Sequence, residues 1–161
     1  MVRMSKTGFM EYGDTFVWVL RDPFAVFCVY LREALGQSEH AEEPWVAERR
    51  SDLLSSISYS VLGQSFVPDD IQDGALRSAV HVARRKAIEG GDLRADDINT
   101  WTVEGTPVDG PTSVGVSVDS ILDVADTLLA MLEGTLASPP PYERWVVGTD
   151  TPGATIGHSL P

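Results

Sequence analysis

The chain has 161 residues, 43% of them hydrophobic and 22% charged, the mix of one ordinary folded domain and not of a disordered tail. Its formal net charge is −12, a field that repels nucleic acid and anionic membranes and attracts cationic partners. A single cysteine, Cys28, excludes an intrachain disulfide and any multi-cysteine metal site.

Met1 to Gly13 carries Arg3 and Lys6 with few apolar anchors, so residues 1–13 read as a flexible lead-in and residues 14–161 as a single α+β domain. No apolar h-region follows directly. The apolar stretch from Phe16 to Leu31 is cut by Arg21-Asp22-Pro23, and neither half is long enough to span a bilayer. A cytoplasmic protein with no membrane contact is expected.

Thr15 to Leu20 is β-branched and aromatic and reads as a strand. Asp22-Pro23 then opens a helix, with Asp22 as cap and Pro23 at the first helical position. Phe24, Phe27, Cys28, Leu31, Ala34 and Leu35 recur at helical spacing on one face, and Gly36 is the expected stop. After a polar connector, 37–43, Pro44 opens a second helix reaching about Leu62, with Val46, Leu53, Leu54, Ile57 and Val61 as its apolar stripe. Residues 64–73 read as a loop. A third helix runs from about Gly74 to Glu89, with Leu76, Ala79, Val80, Ala83 and Ala87 inward, and Gly90-Gly91 stops it.

Ile98 to Val103 reads as a strand. Glu104-Gly105 turns it toward a short edge segment, 106–108, where Pro107 forbids a central position. Thr112 to Val116 alternates weakly as a further strand. Ser117 caps a fourth helix, Val118 to Glu133, with Val118, Ile121, Leu122, Ala125, Leu128, Leu129 and Leu132 on one face and Gly134 at its end. The proline run 139–141 is a stiff connector. Glu143 to Gly148 is a strand, and 154–156 adds a short one. The order of elements predicts four helices packed on a small, mostly antiparallel sheet of four to five strands.

Charge is uneven along the chain. Residues 87–161 hold half of the 24 acidic residues but only two of the 12 basic ones, Arg94 and Arg144. Asp119, Asp123 and Asp126 fall at i, i+4, i+7 opposite the leucines of the fourth helix. They are expected on one solvated face, fit to meet a cationic partner; a hard cation needs more converging ligands than these three. Trp45, at a helix start after a polar connector, is the tryptophan expected to be partly exposed and to anchor an interface. The third helix carries the reverse charge. Arg77, His81, Arg84 and Arg85 share an arc of its surface, a basic patch fit either for an anion or for docking on the protein's own acids. With the whole chain at −12, duplex nucleic acid is not an expected partner.

Catalytic signals are weak. Cys28 with His40, His81 or His158 is a conceivable nucleophile–base pair, but Cys28 lies on an apolar stripe, where a thiol behaves as a small hydrophobe. The histidines form no H-x-x-x-H pair, and no P-loop, G-x-S-x-G or G-x-G-x-x-G occurs. No cofactor and no metal are called for. The leading expectation is a non-enzymatic acidic protein that docks a cationic protein partner, in the manner of an immunity protein or antitoxin. The alternatives are a structural subunit of a homo-oligomer or phage particle, signalled by apolar surface on the serine-rich second helix, and an enzyme without a motif, built around Asp69, Asp70 and Asp73 or His81. Arginine outnumbers lysine ten to two, a bias typical of GC-rich bacterial coding; no physical account links it to function.

Overall fold

The computed structural model describes residues 7–58, 63–108, 115–136, 143–148 and 155–157, with the side chains of 143–145 and 155–157 outside the description. The strands are β1 (Thr7–Tyr12), β2 (Thr15–Leu20), β3 (Gly63–Phe66), β4 (Thr102–Val103), β5 (Thr106–Pro107), β6 (Glu143–Val147) and β7 (Thr155–Gly157). The helices are α1 (Arg21–Gly36), α2 (Pro44–Ile57), α3 (Asp70–Gly90), α4 (Ala95–Ile98) and α5 (Val118–Glu133). The fold is α+β: one five-stranded sheet in the order β3-β1-β2-β6-β7, a helical layer against it, and the separate ribbon β4-β5. The sheet is mixed. β1–β2 and β6–β7 pair antiparallel, while β1–β3 and β2–β6 pair parallel. This differs from the mostly antiparallel arrangement that segregated elements suggest, because β3 and β6 each return after intervening helices and join the sheet beside a strand of their own direction, β3 beside β1 and β6 beside β2.

The lead-in reading of residues 1–13 is corrected at Thr7–Tyr12, which is β1 and lies inside the sheet. It pairs with β2 in the register Phe9↔Trp18, Met10↔Val17, Glu11↔Phe16. The turn between them uses Gly13 at φ +56°, a left-handed conformation that favours glycine. The inner face of the sheet carries Met10, Val17, Val19, Phe66 and Val147, all buried.

β2 runs directly into α1. Leu20 is the N-cap residue, without a side-chain cap bond, so Asp22 and Pro23 lie inside the first turn and are not the cap. The sequence pattern marks one apolar face, yet every residue from Pro23 to Arg32 is buried. α1 is the central helix, packed by α2, α3, α5 and the sheet. Its buried Arg32 is tied twice: Nε donates to the Arg50 carbonyl at 3.3 Å, and a terminal nitrogen meets Glu104 at 2.8 Å. Arg50 returns a bond to the Arg32 carbonyl at 3.1 Å. This clasp joins α1 to α2, and the Arg50 guanidinium occupies the space a side chain at Gly36 would need.

α2 ends at Ile57, short of the expected Leu62; residues 59–62 lie outside the description. The following segment is not all loop, because Gly63–Phe66 forms the edge strand β3. α3 starts earlier than Gly74. Asp69 caps it, its carboxylate accepting from the backbone N–H groups of Ile71 at 2.9 Å and Gln72 at 2.8 Å. The expected strand 98–103 resolves into the one-turn helix α4 and the two-residue β4. Of the expected strand 112–116, Val116 bridges Leu93, and 112–114 lie outside the description, as does the proline connector 139–141. α5 matches its expected bounds, with the Ser117 hydroxyl accepting from the Ser120 N–H at 3.1 Å and Gly134 closing it at φ +70°. Among the described residues, no helix is long and apolar enough to cross a membrane.

Candidate docking surface

Strand alternation sends Phe9 and Glu11 of β1, Phe16, Trp18 and Leu20 of β2, and Val146 of β6 to the side opposite the helices. Among the described residues none of these six is buried, and no described helix packs across them. Phe16 is 43% exposed. Its ring stacks on Phe9 at 5.5 Å between centroids and meets Trp18 edge-to-face at 5.0 Å. The aromatic row continues over the edge strand. Gly63 pairs with Phe9, and a Cβ there would stand 2.2 Å from the Phe9 carbonyl oxygen and 2.8 Å from its ring. Only a residue without a side chain lets the Phe9 ring lie over β3. Acids border the row. Glu11 is the cross-strand partner of Phe16 and accepts from the Ser65 hydroxyl at 3.2 Å; Asp14 is exposed at the hairpin tip. Val67, just after β3, is 76% exposed.

The residues chosen from the sequence are placed differently from one another. Asp119, Asp123 and Asp126 do not form one exposed face. Asp123 is 4% exposed and accepts from the Gly148 N–H at 2.8 Å, tying α5 to the end of β6. Asp126 is exposed but paired with Arg84 of α3 at 2.8 Å. Asp119 alone of the three stands exposed without such a role. Burial reaches further around α5 than its leucine stripe, taking in Ser120, Val124 and Met131, because other elements cover it from two sides.

The basic arc of α3 is likewise divided. Arg84 is spent on Asp126, whose carboxylate holds the guanidinium pKa above its usual range through hydrogen bonding and charge. Lys86 lies 3.5 Å from Glu33 of α1. Arg77 is half-buried, with its Nε sequestered and without a hydrogen-bond partner. His81 and Arg85 are exposed. Arg84 thus ties α3 to α5, and the adjacent Lys86 ties it to α1, while His81 and Arg85 face solvent. Trp45 is half-buried and packs against the core; its indole N–H is enclosed without a partner, and its ring neighbours His40, which is paired with Glu43. The outward positions of α2 are Ala47, Glu48, Ser51 and Asp52, so the apolar helix surface that would mark an assembly subunit is not found there.

Cys28 is fully buried, and desolvation pushes its thiol pKa far up, leaving no thiolate for nucleophilic work at neutral pH. Asp69, Asp70 and Asp73 belong to the start of α3: Asp69 caps it and Asp73 accepts from the Tyr12 hydroxyl at 2.6 Å. His158 lies outside the description. A cleft of about 340 Å³ opens between α1 and β4, walled by Tyr30, Glu33 and Trp101. Among the described residues, no group of three or more histidine, cysteine or acidic side chains is placed to hold a metal ion.

The aromatic sheet face is out of reach of a sequence reading that takes residues 1–13 as a lead-in, because the face exists only once Thr7–Tyr12 is a strand. The available signal was the alternation of Phe9 and Glu11 against Met10, continued by Phe16 and Trp18 against Val17 and Val19. The polar seam of α2 and β3 is equally out of its reach. There Gln64, buried, donates to the Ser56 hydroxyl at 2.6 Å and the Asp52 carbonyl at 2.8 Å. Arg49 stacks 4.5 Å above the Phe66 ring and donates to the Ser65 carbonyl at 3.2 Å. Comparisons with family models, with curated proteins and with solved structures find no match to this chain.

Proposed function

We propose that this protein is a non-enzymatic acidic binding module that docks a cationic protein partner, with an immunity- or antitoxin-like inhibitor as its concrete form. One observation carries the reading: the fold sorts its charges by sign. Where side chains are described, exposed carboxylates stand on α1, α2, α3, α4 and α5, while Arg85 and Arg94 are the only exposed cationic side chains. Arg32 is buried, and Arg49, Arg84 and Lys86 turn onto the protein's own groups. Among the described residues the acidic side chains are therefore mostly presented outward, with little cationic surface to offset them, on a chain of net charge −12. Such a field accelerates encounter with a basic partner and does so in a salt-dependent way.

The test is the association rate with a basic partner recovered by affinity capture, measured between about 0.02 and 0.5 M salt, across which the screening length shrinks severalfold. A fall of tenfold or more is expected. A rate indifferent to salt refutes the reading.

A further inference from the structure

We infer that the outer face of the sheet, centred on Phe16 and Glu11, is an arginine-reading platform through which a protein partner docks. The inference rests on the cationic-partner reading and names the surface and the side chain it takes. Singly exposed apolar residues are ordinary. Here Phe16 is in ring contact with both Phe9 and Trp18, Leu20 and Val146 flank them, and none of the five is buried, which is the pattern of an interaction surface. Glu11 lies directly across the strand pair from Phe16, where opposed Cβ atoms stand about 5 Å apart. A guanidinium laid on the exposed part of the Phe16 ring is thus within reach of the Glu11 carboxylate. Planar cations favour that combination of ring face and carboxylate fork, and lysine matches it less well.

The protein already uses this chemistry within itself, where Arg49 lies 4.5 Å above the Phe66 ring. Charge complementarity selects the occupant. A second copy would set Glu11 and Asp14 against their own kind on molecules of net charge −12, and a stacked nucleic acid would bring phosphates to the same carboxylates. An arginine-bearing protein surface meets neither penalty.

The experiment uses the full chain and two synthetic nine-residue probes of equal charge, oligo-arginine and oligo-lysine, titrated by calorimetry. Alongside run a single-stranded oligothymidylate and a sedimentation series of the protein alone. Oligo-arginine is expected to bind more tightly than oligo-lysine. Phe16→Ala should weaken the arginine probe about two- to fivefold, the size of an exposed cation–π contact, and narrow the gap between the probes. Glu11→Gln should act in the same direction. Phe16 is exposed, so an unchanged thermal melt of Phe16→Ala separates lost binding from lost structure. Equal binding of both probes, untouched by either substitution, overturns the platform and leaves the electrostatic reading standing. Failure of both probes to bind at low salt overturns the two together. Phe16-dependent dimerisation, or a preference for the oligothymidylate, also overturns the inference, because the occupant would then be a second copy or a base.

Discussion

Replacing Asp123 with alanine removes the acceptor of a buried bond. The carboxylate is 4% exposed and receives the Gly148 N–H at 2.8 Å. Gly148 sits at φ +90° with Pro23 and Val124 closing around it, so water has little room to take the acceptor's place. A buried donor left unsatisfied costs about 1–3 kcal/mol. A loss of about 2 kcal/mol corresponds to a melting temperature lower by roughly 4–8 °C in a chain of this size. Asp126→Ala breaks a half-exposed ion pair with Arg84 and should cost at most about 1 kcal/mol. Asp119→Ala, at an exposed helix start, should also stay under about 1 kcal/mol. Asp123→Asn keeps an oxygen for the Gly148 N–H and should fall between Asp123→Ala and the wild type. The assay is a set of thermal melts followed by circular dichroism at neutral pH. If Asp123→Ala melts no lower than Asp126→Ala, the placement of Asp123 as an internal tie between α5 and β6 is wrong.

Two further substitutions probe the sheet. Gly63→Ala would place a Cβ 2.2 Å from the Phe9 carbonyl oxygen, forcing β3 away from β1; a loss of about 2–3 kcal/mol is expected, read as a urea midpoint about 1 M lower at a typical slope, and an unchanged midpoint would contradict the close strand approach. Tyr12 donates to Asp73 at 2.6 Å, and that hydrogen bond is the main cause holding its phenol pKa above the usual value. Since the folded pKa exceeds the unfolded one, the stabilisation is complete below the unfolded value, about 10, and is lost as pH rises through the folded value. Tyr12→Phe should therefore cost about 0.5 kcal/mol at neutral pH, and the gap from wild type should shrink in strongly alkaline urea titrations; a gap that widens with pH would reverse the assignment.

The parts legible in the sequence are those whose signals are local. α5 is marked by Ser117, an unbroken apolar period and Gly134, and each does in the structure what its residue type suggests. β2 and β6 are dense in β-branched and aromatic residues, and they form where expected. β1 hides because apolar side chains point both ways: Met10 inward, Phe9 outward. β3 hides because Phe66 is its lone apolar side chain, while Gln64 is buried by tertiary bonds to α2 that no single-strand pattern carries. The fate of the three α5 aspartates was illegible for a related reason. Helical spacing gives their angular position, but how far burial extends around a helix depends on how many neighbours cover it. The same holds for α1, whose single apolar stripe became burial on nearly every side once α2, α3, α5 and the sheet surrounded it. The surface for a partner depended wholly on recognising β1, so it emerged only with the strand pairing.

The parallel pairing of β2 with β6 joins Trp18 to Val146 and Val19 to Val147, residues 128 positions apart. The β1–β2 hairpin precedes β6 by more than a hundred residues, and one flank of β2 stays without its neighbour until β6 has been made. Closing so long a loop is slow relative to local helix formation. The waiting flank is an open row of amide and carbonyl groups, the template on which strands of other molecules assemble. A chain in which β6 has not yet docked thus keeps that flank of β2 open to other strands.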